Sequence, residues 1–283
     1  LRRTLYEPVH VEIAQNLNNL GILYRALGKY CESLQALDEA QEILRRLEST
    51  DYISTLTTAK TLLSLGSVQG EIMRPKTALK TINAARSKLE TLPANNDVAL
   101  ERANSELALG IVLLESGQAN QAVQHEREAL RQHEKLFSSA DHPAMINARE
   151  ELGRALVASG DTPQGIDYLN QTLRALRRLL GGGDHRALTD PLQHLGEAYE
   201  KTKRYDDAER AYKEAGDMRR RLYGPDYPLI AETLLGLARV EQARGRTNEA
   251  IAHYKSAADI LRKTYRGSYH PGLAEALQAM NPP

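Results

Sequence analysis

Tryptophan is absent from this 283-residue sequence, and phenylalanine and cysteine occur once each. A single cysteine, Cys31, excludes an intrachain disulfide and any zinc site built on paired cysteines. It suits a reducing compartment, so the expected setting is intracellular and cytoplasmic, with organelle import left open. Excess charge is also missing, since 37 Lys+Arg balance 37 Asp+Glu. Nucleic acids and anionic membrane surfaces select a basic excess, so neither is an expected partner. No apolar run approaches the roughly 18–20 residues of a membrane span, which argues against membrane insertion. The chain is rich in Ala, Leu, Glu, Arg and Gln, and these are good helix formers. The expected fold class is all-α.

The helices are organised by a repeat. A Leu-Gly or Leu-Ala pair recurs at Leu20-Gly21, Leu65-Gly66, Leu109-Gly110, Leu152-Gly153, Leu195-Gly196 and Leu237-Ala238, at spacings of 45, 44, 43, 43 and 42 residues. Twelve residues after each pair stands a second small position: Ser33, Ala78, Ala122, Gly165, Ala208 and Ala250. Seven residues further comes a third: Ala40, Ala85, Ala129, Thr172, Ala215 and Ala257. Small residues let helix backbones approach, and positions seven apart share a helical face. The first small site therefore marks one helix, and the other two mark its antiparallel partner. Gly28, Gly117, Gly160 and Gly245 fall at the turns between them.

The pattern predicts helix pairs over 11–27/30–47, 53–72/75–91, 96–117/119–137, 143–159/162–180, 186–202/205–222 and 228–244/247–265. A marker precedes several pairs: His142-Pro143, His185-Arg186, Tyr227-Pro228 and His270-Pro271, with His10-Val11 in the same phase. The histidines are expected to cap the following helix or to bond a turn carbonyl. Residues 271–283 are expected to supply a capping helix and tail, because a terminal hairpin otherwise exposes an apolar face. Residues 1–8 read like 218–225 at the end of the fifth pair. Residues 1–10 are accordingly expected to be the tail of a preceding repeat and a linker, with the natural chain extending upstream. Six hairpins then fill 11–270.

Leu17-x2-Leu20-Gly21-x2-Tyr24, Leu192-x2-Leu195-Gly196-x2-Tyr199 and Ala208-x3-Tyr212 resemble the tetratricopeptide repeat family. Leu17-Asn18-Asn19-Leu20, Asp141-His142-Pro143 and Tyr223-Gly224-Pro225-Asp226-Tyr227-Pro228 resemble its kinesin light chain subtype. The resemblance implies a right-handed superhelical solenoid of antiparallel helix pairs whose first helices line a concave groove. Carried onto this chain, the groove positions include Asn18, Asn19, Ile22 and Arg25 in repeat 1 and Lys60 and Leu63 in repeat 2. Repeat 3 gives Asn104, Leu107, Ile111 and Leu114, and repeat 4 gives Asn147, Glu150 and Arg154. His194 and Glu197 in repeat 5, and Arg239 in repeat 6, complete the set. Leu63, Leu107, Ile111 and Leu114 form an apolar patch on this reading, although Leu63 and Leu107 also suit packing against neighbouring second helices. Asn can pair with both N–H and C=O of an extended peptide.

The family's clamp for chaperone C-terminal tails uses Lys and Asn where Asn18 and Ile22 stand here, so that partner is not expected. Glu106 and Arg149 occupy positions where the family has large apolar residues, and they are expected to face each other across neighbouring repeats. His125 and His133, eight apart on one helix, are too far apart to share a metal ion. Gly181-Gly182-Gly183 lacks the lysine and strand of a phosphate loop and reads as a turn. Arg177-Arg178 and Arg219-Arg220-Arg221 are expected to complement helix C-termini. No catalytic constellation, metal site or cofactor motif is recognised. The expected function is a protein–protein interaction scaffold or adaptor, not an enzyme, that binds a peptide or helix of a partner protein. Two alternatives stand beside it: a regulatory module of a longer multidomain protein, and a self-associating structural solenoid.

Overall fold

The computed structural model describes residues 10–72, 74–265 and 270–280. Among them lie thirteen α-helices and no strand. The first three pairs are α1 (Val11–Ala26) with α2 (Tyr30–Leu47), α3 (Tyr52–Glu71) with α4 (Pro75–Glu90), and α5 (Asn96–Glu115) with α6 (Ala119–Leu136). Next come α7 (Pro143–Ser159), α8 (Thr162–Leu180), α9 (Arg186–Lys201) and α10 (Tyr205–Tyr223). The last are α11 (Pro228–Ala243), α12 (Thr247–Tyr265) and α13 (Pro271–Met280). The predicted ends agree with these to within two residues. The expected tail of an earlier repeat, residues 1–5, lies outside the described residues.

Local chemistry sets the helix starts. The Nδ1 atoms of His10, His142, His185 and His270 accept the backbone N–H two residues on, at 3.1–3.2 Å. Each satisfies an amide that has no partner within its own helix. Repeats 2 and 3 lack the histidine and start earlier, behind Asp51 and Asn95, which accept from Ser54 N and Val98 N. Their first helices accordingly run to 20 residues, against 16 for α1 and α9. Proline opens α4, α7, α11 and α13, where the missing N–H has no intrahelical partner to lose.

The chain divides into two compact units, 1–155 and 156–283, with the break inside α7. In each, a large side chain four residues after the second small site fills the space against the small first-helix residue. In unit 1 a Cβ on Gly21, Gly66 or Gly110 would lie 2.4–2.6 Å from Leu37, Ile82 or Glu126. In unit 2 a Cβ on Gly196 would lie 2.5 Å from the Tyr212 ring. The unit 1 core is built from clusters such as Leu63, Ile82 and Val112, and Leu56, Leu89 and Val98. In unit 2, Leu169, Leu192 and Met218 share one cluster, and Ala276 of α13 closes another with Leu235, Ala258 and Leu261.

Several buried places are polar, and three of them carry large titratable side chains with almost no exposure. Glu126 and His133 on α6 are fully buried, and no carboxylate oxygen or ring nitrogen of theirs has a hydrogen-bond partner. Arg219 of α10, in the run expected to complement a helix C-terminus, is buried. It stands where other repeats place Leu44, Leu89 and Leu261. Its guanidinium donates to Leu229 O at 2.7 Å and Asp190 Oδ1 at 3.0 Å, which is what lets the charge leave water. Glu106 and Arg149 do not face each other. Glu106 binds Arg86 and His125, each at 2.7 Å, and Arg149 donates to Ala140 O. Nearer partners on α4 and α6, and a turn carbonyl, satisfy the two charges.

Candidate functional site

In unit 1 the first helices α1, α3 and α5 and the start of α7 line a trough formed by two adjoining cavities. One, of about 320 Å³, is lined by Asn18, Asn19, Ile22, Arg25, Lys60, Leu63 and Asn104, with Ser64, Ser67, Glu101 and Ala108. The other, of about 490 Å³, shares Arg25, Ser67 and Ala108 with it. It adds Ile111, Asn147 and Arg154 along with Tyr30, Glu71, Glu115 and Glu151. Helical periodicity explains the alignment, since Asn18, Ile22 and Arg25 are spaced four and three apart on one face, as are Asn104, Ala108 and Ile111.

Other expected groove residues are placed differently. Leu107 is buried and lines neither cavity, so it belongs to the core. Leu63 is also buried, packed against Ile82 and Val112, and reaches the trough with its edge only. Leu114 packs half-buried against Leu113, Ala122 and Ala155. Glu150 lines neither cavity. His194, Glu197 and Arg239 belong to unit 2. There Glu197 accepts from Gln193 at 3.0 Å, and Arg239 donates to Glu200 at 2.8 Å and to Glu275 at 3.1 Å. Arg239 thereby ties α9, α11 and α13 together.

Charge in the trough is paired. Arg25 meets Glu71 at 3.1 Å, Lys60 meets Glu101 at 3.5 Å, and Arg154 meets both Glu115 at 2.8 Å and Glu151 at 2.6 Å. Burial pushes the Glu71 carboxyl above its ordinary range, and Arg25 only partly offsets it. Sequence reasoning missed Glu71, Glu101 and Glu115. Glu71 and Glu115 lie one helical turn beyond Ser67 and Ile111, so extending the i, i+4 phase would have found them.

Asn18 is the polar group that stands apart. It is only 7% exposed and lines the first cavity, yet its carboxamide oxygen has no hydrogen-bond partner. Leaving a buried acceptor unmatched costs about 1–3 kcal/mol. The lining as a whole offers amides, hydroxyls and paired charges around the apolar Ile22 and Ile111. Such a surface can hydrogen-bond an extended backbone while covering apolar side chains. Among the described residues, no three His, Cys, Asp or Glu side chains are grouped to hold a metal ion, and no helix is long and apolar enough to cross a membrane.

Antiparallel hairpins in series, four of them wedging a large second-helix side chain against a first-helix glycine, with a polar trough in unit 1, define a helical-repeat scaffold. The chain belongs to the tetratricopeptide repeat family. One tetratricopeptide repeat profile matches 101–178, 144–220 and 188–263, more than half the sequence, and a second matches 14–51. Arrays of this family are protein–protein interaction scaffolds, and this chain is one. Among curated proteins there is no sequence match. Similar solved structures include BtubC (BKLC) from P. vanneervenii, at 19% identity and TM-score 0.65, covering 84% of this chain and 92% of that one. A putative kinesin light chain from Podospora anserina with nearly identical TPR-like repeats is 19% identical, TM-score 0.57, covering 74% and 97%. A Rap protein complexed with Competence and Sporulation Factor is 14% identical, TM-score 0.63, covering 93% and 72%. At these identities the likeness is one of fold.

Proposed function

We propose that the scaffold binds an extended peptide segment of a partner protein in the trough of unit 1. The observation that carries this reading is the lining of the trough, where the amide side chains of Asn18, Asn19 and Asn104 stand beside Ile22 and, in the adjoining cavity, Ile111. Asn19 and Asn104, on the same cavity wall, offer further donors and acceptors to the peptide main chain, while Ile22 and Ile111 provide apolar contact. The Rap protein of similar fold, complexed with Competence and Sporulation Factor, is a precedent for ligand capture by such an array.

The test is selection of a random peptide library displayed on phage against the full chain, compared with an Ile22→Glu/Ile111→Glu variant. Ile22 is exposed and Ile111 half-buried, so the variant should melt like the wild type, whereas a substitution at buried Leu107 would not isolate binding from folding. Peptides enriched by the wild type should bind the variant at least ~10-fold more weakly, about 1.4 kcal/mol. They should also weaken with Asn18→Leu. Equal enrichment on wild type and variant, or none on the wild type, would sink the reading.

A further inference from the structure

The junction of α4, α5 and α6 differs in chemistry from its counterparts along the array. Eight residues before the small first-helix site the six repeats carry Ile13, Thr58, Arg102, Met145, Leu188 and Ile230. Ile13, Met145, Leu188 and Ile230 are core residues, at most 4% exposed. Repeat 3 has a charge in that place. Two neighbours from second helices follow suit. Arg86 of α4 and Gln132 of α6 stand where repeat 5 meets Leu173 of α8 and Met218 of α10. Leu173, Leu188 and Met218 share one apolar cluster. In repeat 3 the same three places are polar and line two adjoining cavities instead.

One cavity, of about 290 Å³, is lined by Arg86, Glu90, Arg102, Ser105, Glu106 and Gln132. The other, of about 270 Å³, shares Arg102 and Gln132 and adds Ala99, Arg131, Lys135 and Leu136. This second lining holds three cations and no carboxylate. Neither cavity shares a residue with the trough, because Ala99, Arg102 and Ser105 lie on a different face of α5 from Asn104, Ala108 and Ile111.

Partners within the chain account for only part of this charge. Arg86 is met by Glu106 and Arg131 by Glu128, each at 2.7 Å. Arg102 donates to Leu89 O at 2.9 Å, and that carbonyl is its one hydrogen-bond partner among the described residues. Lys135 is exposed and has no hydrogen bond or salt bridge among them. Glu90 lines the first cavity and not the second. The second cavity therefore presents two positive charges that no carboxylate contacts, one from α5 and one from α6. A guanidinium set at a core place gains from a counter-ion, and this one opens onto a space that can admit it.

We infer that this cleft binds a phosphate monoester carried on a side chain of a partner protein. Such a group has a charge of about −1.5 to −2 near pH 7, which matches the two uncompensated cations, whereas a carboxylate matches one. Arg102 supplies the planar fork that pairs with phosphate oxygens, and Lys135 supplies a point charge. A protein carries the group because the array is a protein–protein interaction scaffold. The cleft is separate from the peptide trough and does not depend on it.

The probe is a pool of synthetic peptides with a central phosphoserine and degenerate flanks, passed over the immobilised full chain. Retained peptides are identified by mass spectrometry, remade with fluorescein and titrated by anisotropy. They should bind at least ~10-fold more tightly than the same peptides with serine or glutamate at the centre. Arg102→Gln and Lys135→Gln in the chain should each weaken binding at least ~3-fold. Lys135 is exposed, so its variant should melt like the wild type even where loss of the Leu89 bond destabilises Arg102→Gln. Ile22→Glu/Ile111→Glu in the trough should leave the titration unchanged. Retention of no phosphoserine peptide, equal binding of the serine or glutamate forms, indifference to Lys135→Gln, or loss with the trough variant would overturn the inference. So would displacement of the peptide by an equal concentration of free phosphoserine, which would make the ligand a small phosphate and not a partner protein.

Discussion

Glu126 in α6 and Tyr212 in α10 hold the same place in their hairpins, four residues after the second small site and against the glycine of the first helix. Both are fully buried. Tyr212 is wedged between Gly196 and Gly236, and its hydroxyl donates to Glu200 at 2.9 Å. Glu200 also receives Arg239, so the phenol is joined to a network spanning α9, α10 and α11. Glu126 occupies equal depth with nothing to bond. Burial, reinforced by the charge of Glu151, pushes its carboxyl up to about 9, so the group is held neutral near pH 7. The repeat thus demands bulk at this place and tolerates polarity, but only a partnered polar group adds stability there.

The largest expected effect comes from emptying the place in unit 2. Tyr212→Ala should destabilise α9–α10 by about 3–5 kcal/mol, read as lost hydrogen-exchange protection in those helices. The damage should fade away from the altered hairpin, since each hairpin leans on its neighbours alone. Overfilling is next. Gly196→Leu should cost about 1–3 kcal/mol, and an unchanged melting curve would contradict the close approach of Tyr212.

Unit 1 should respond in the opposite direction. Leu37 and Ile82 fit against Gly21 and Gly66, so Leu fits the site by shape, and Glu126→Leu should stabilise by about 1–3 kcal/mol at neutral pH. Urea unfolding at several pH values sharpens this. The folded-state value of Glu126 is raised above the ordinary 4.5, so the folded form keeps a proton that the unfolded chain loses. The wild type should therefore lose stability relative to Glu126→Gln as pH rises from about 4.5 to about 9, by at most ~1.4 kcal/mol per pH unit. A gap that stays constant over that range would remove the assignment. His133, on the same helix, acts at the acid side. Burial, aided by His142, lowers its value from the ordinary 6.5, so stability should fall as pH drops below about 6.5 in the wild type and not in His133→Leu. The smallest expected change is Tyr212→Phe, about 0.5–1.5 kcal/mol, because Glu200 keeps Arg239 when the phenol hydroxyl is removed.

Much of this comparison was legible before any coordinates. The 42–45-residue period, the three small positions and the histidine marker placed each hairpin, because those signals are local: a cap, a turn, a close backbone approach. The trough was legible in outline from helical phase, and Asn18, Ile22, Arg25, Asn104 and Ile111 do line it. Leu107 takes the packed one of the two placements open to it, because a first helix in such an array packs on both sides, and phase alone does not tell the packed edge from the open one. The burial of Arg219 was not legible for a related reason: an arginine run at a helix end does not show which member Leu229 O and Asp190 will surround.

The amino-acid sequence alone determined the helices, their pairing and the family, because helix propensity, capping and small-residue contacts act over a few residues or one hairpin. Tertiary structure alone decided which polar groups are matched. Glu126 and the Asn18 carbonyl stand unmatched, while the Tyr212 hydroxyl is bonded and Arg219 holds two acceptors. Those outcomes depend on which side chains arrive from neighbouring helices, some tens of residues away along the chain, and on how much water their arrival removes.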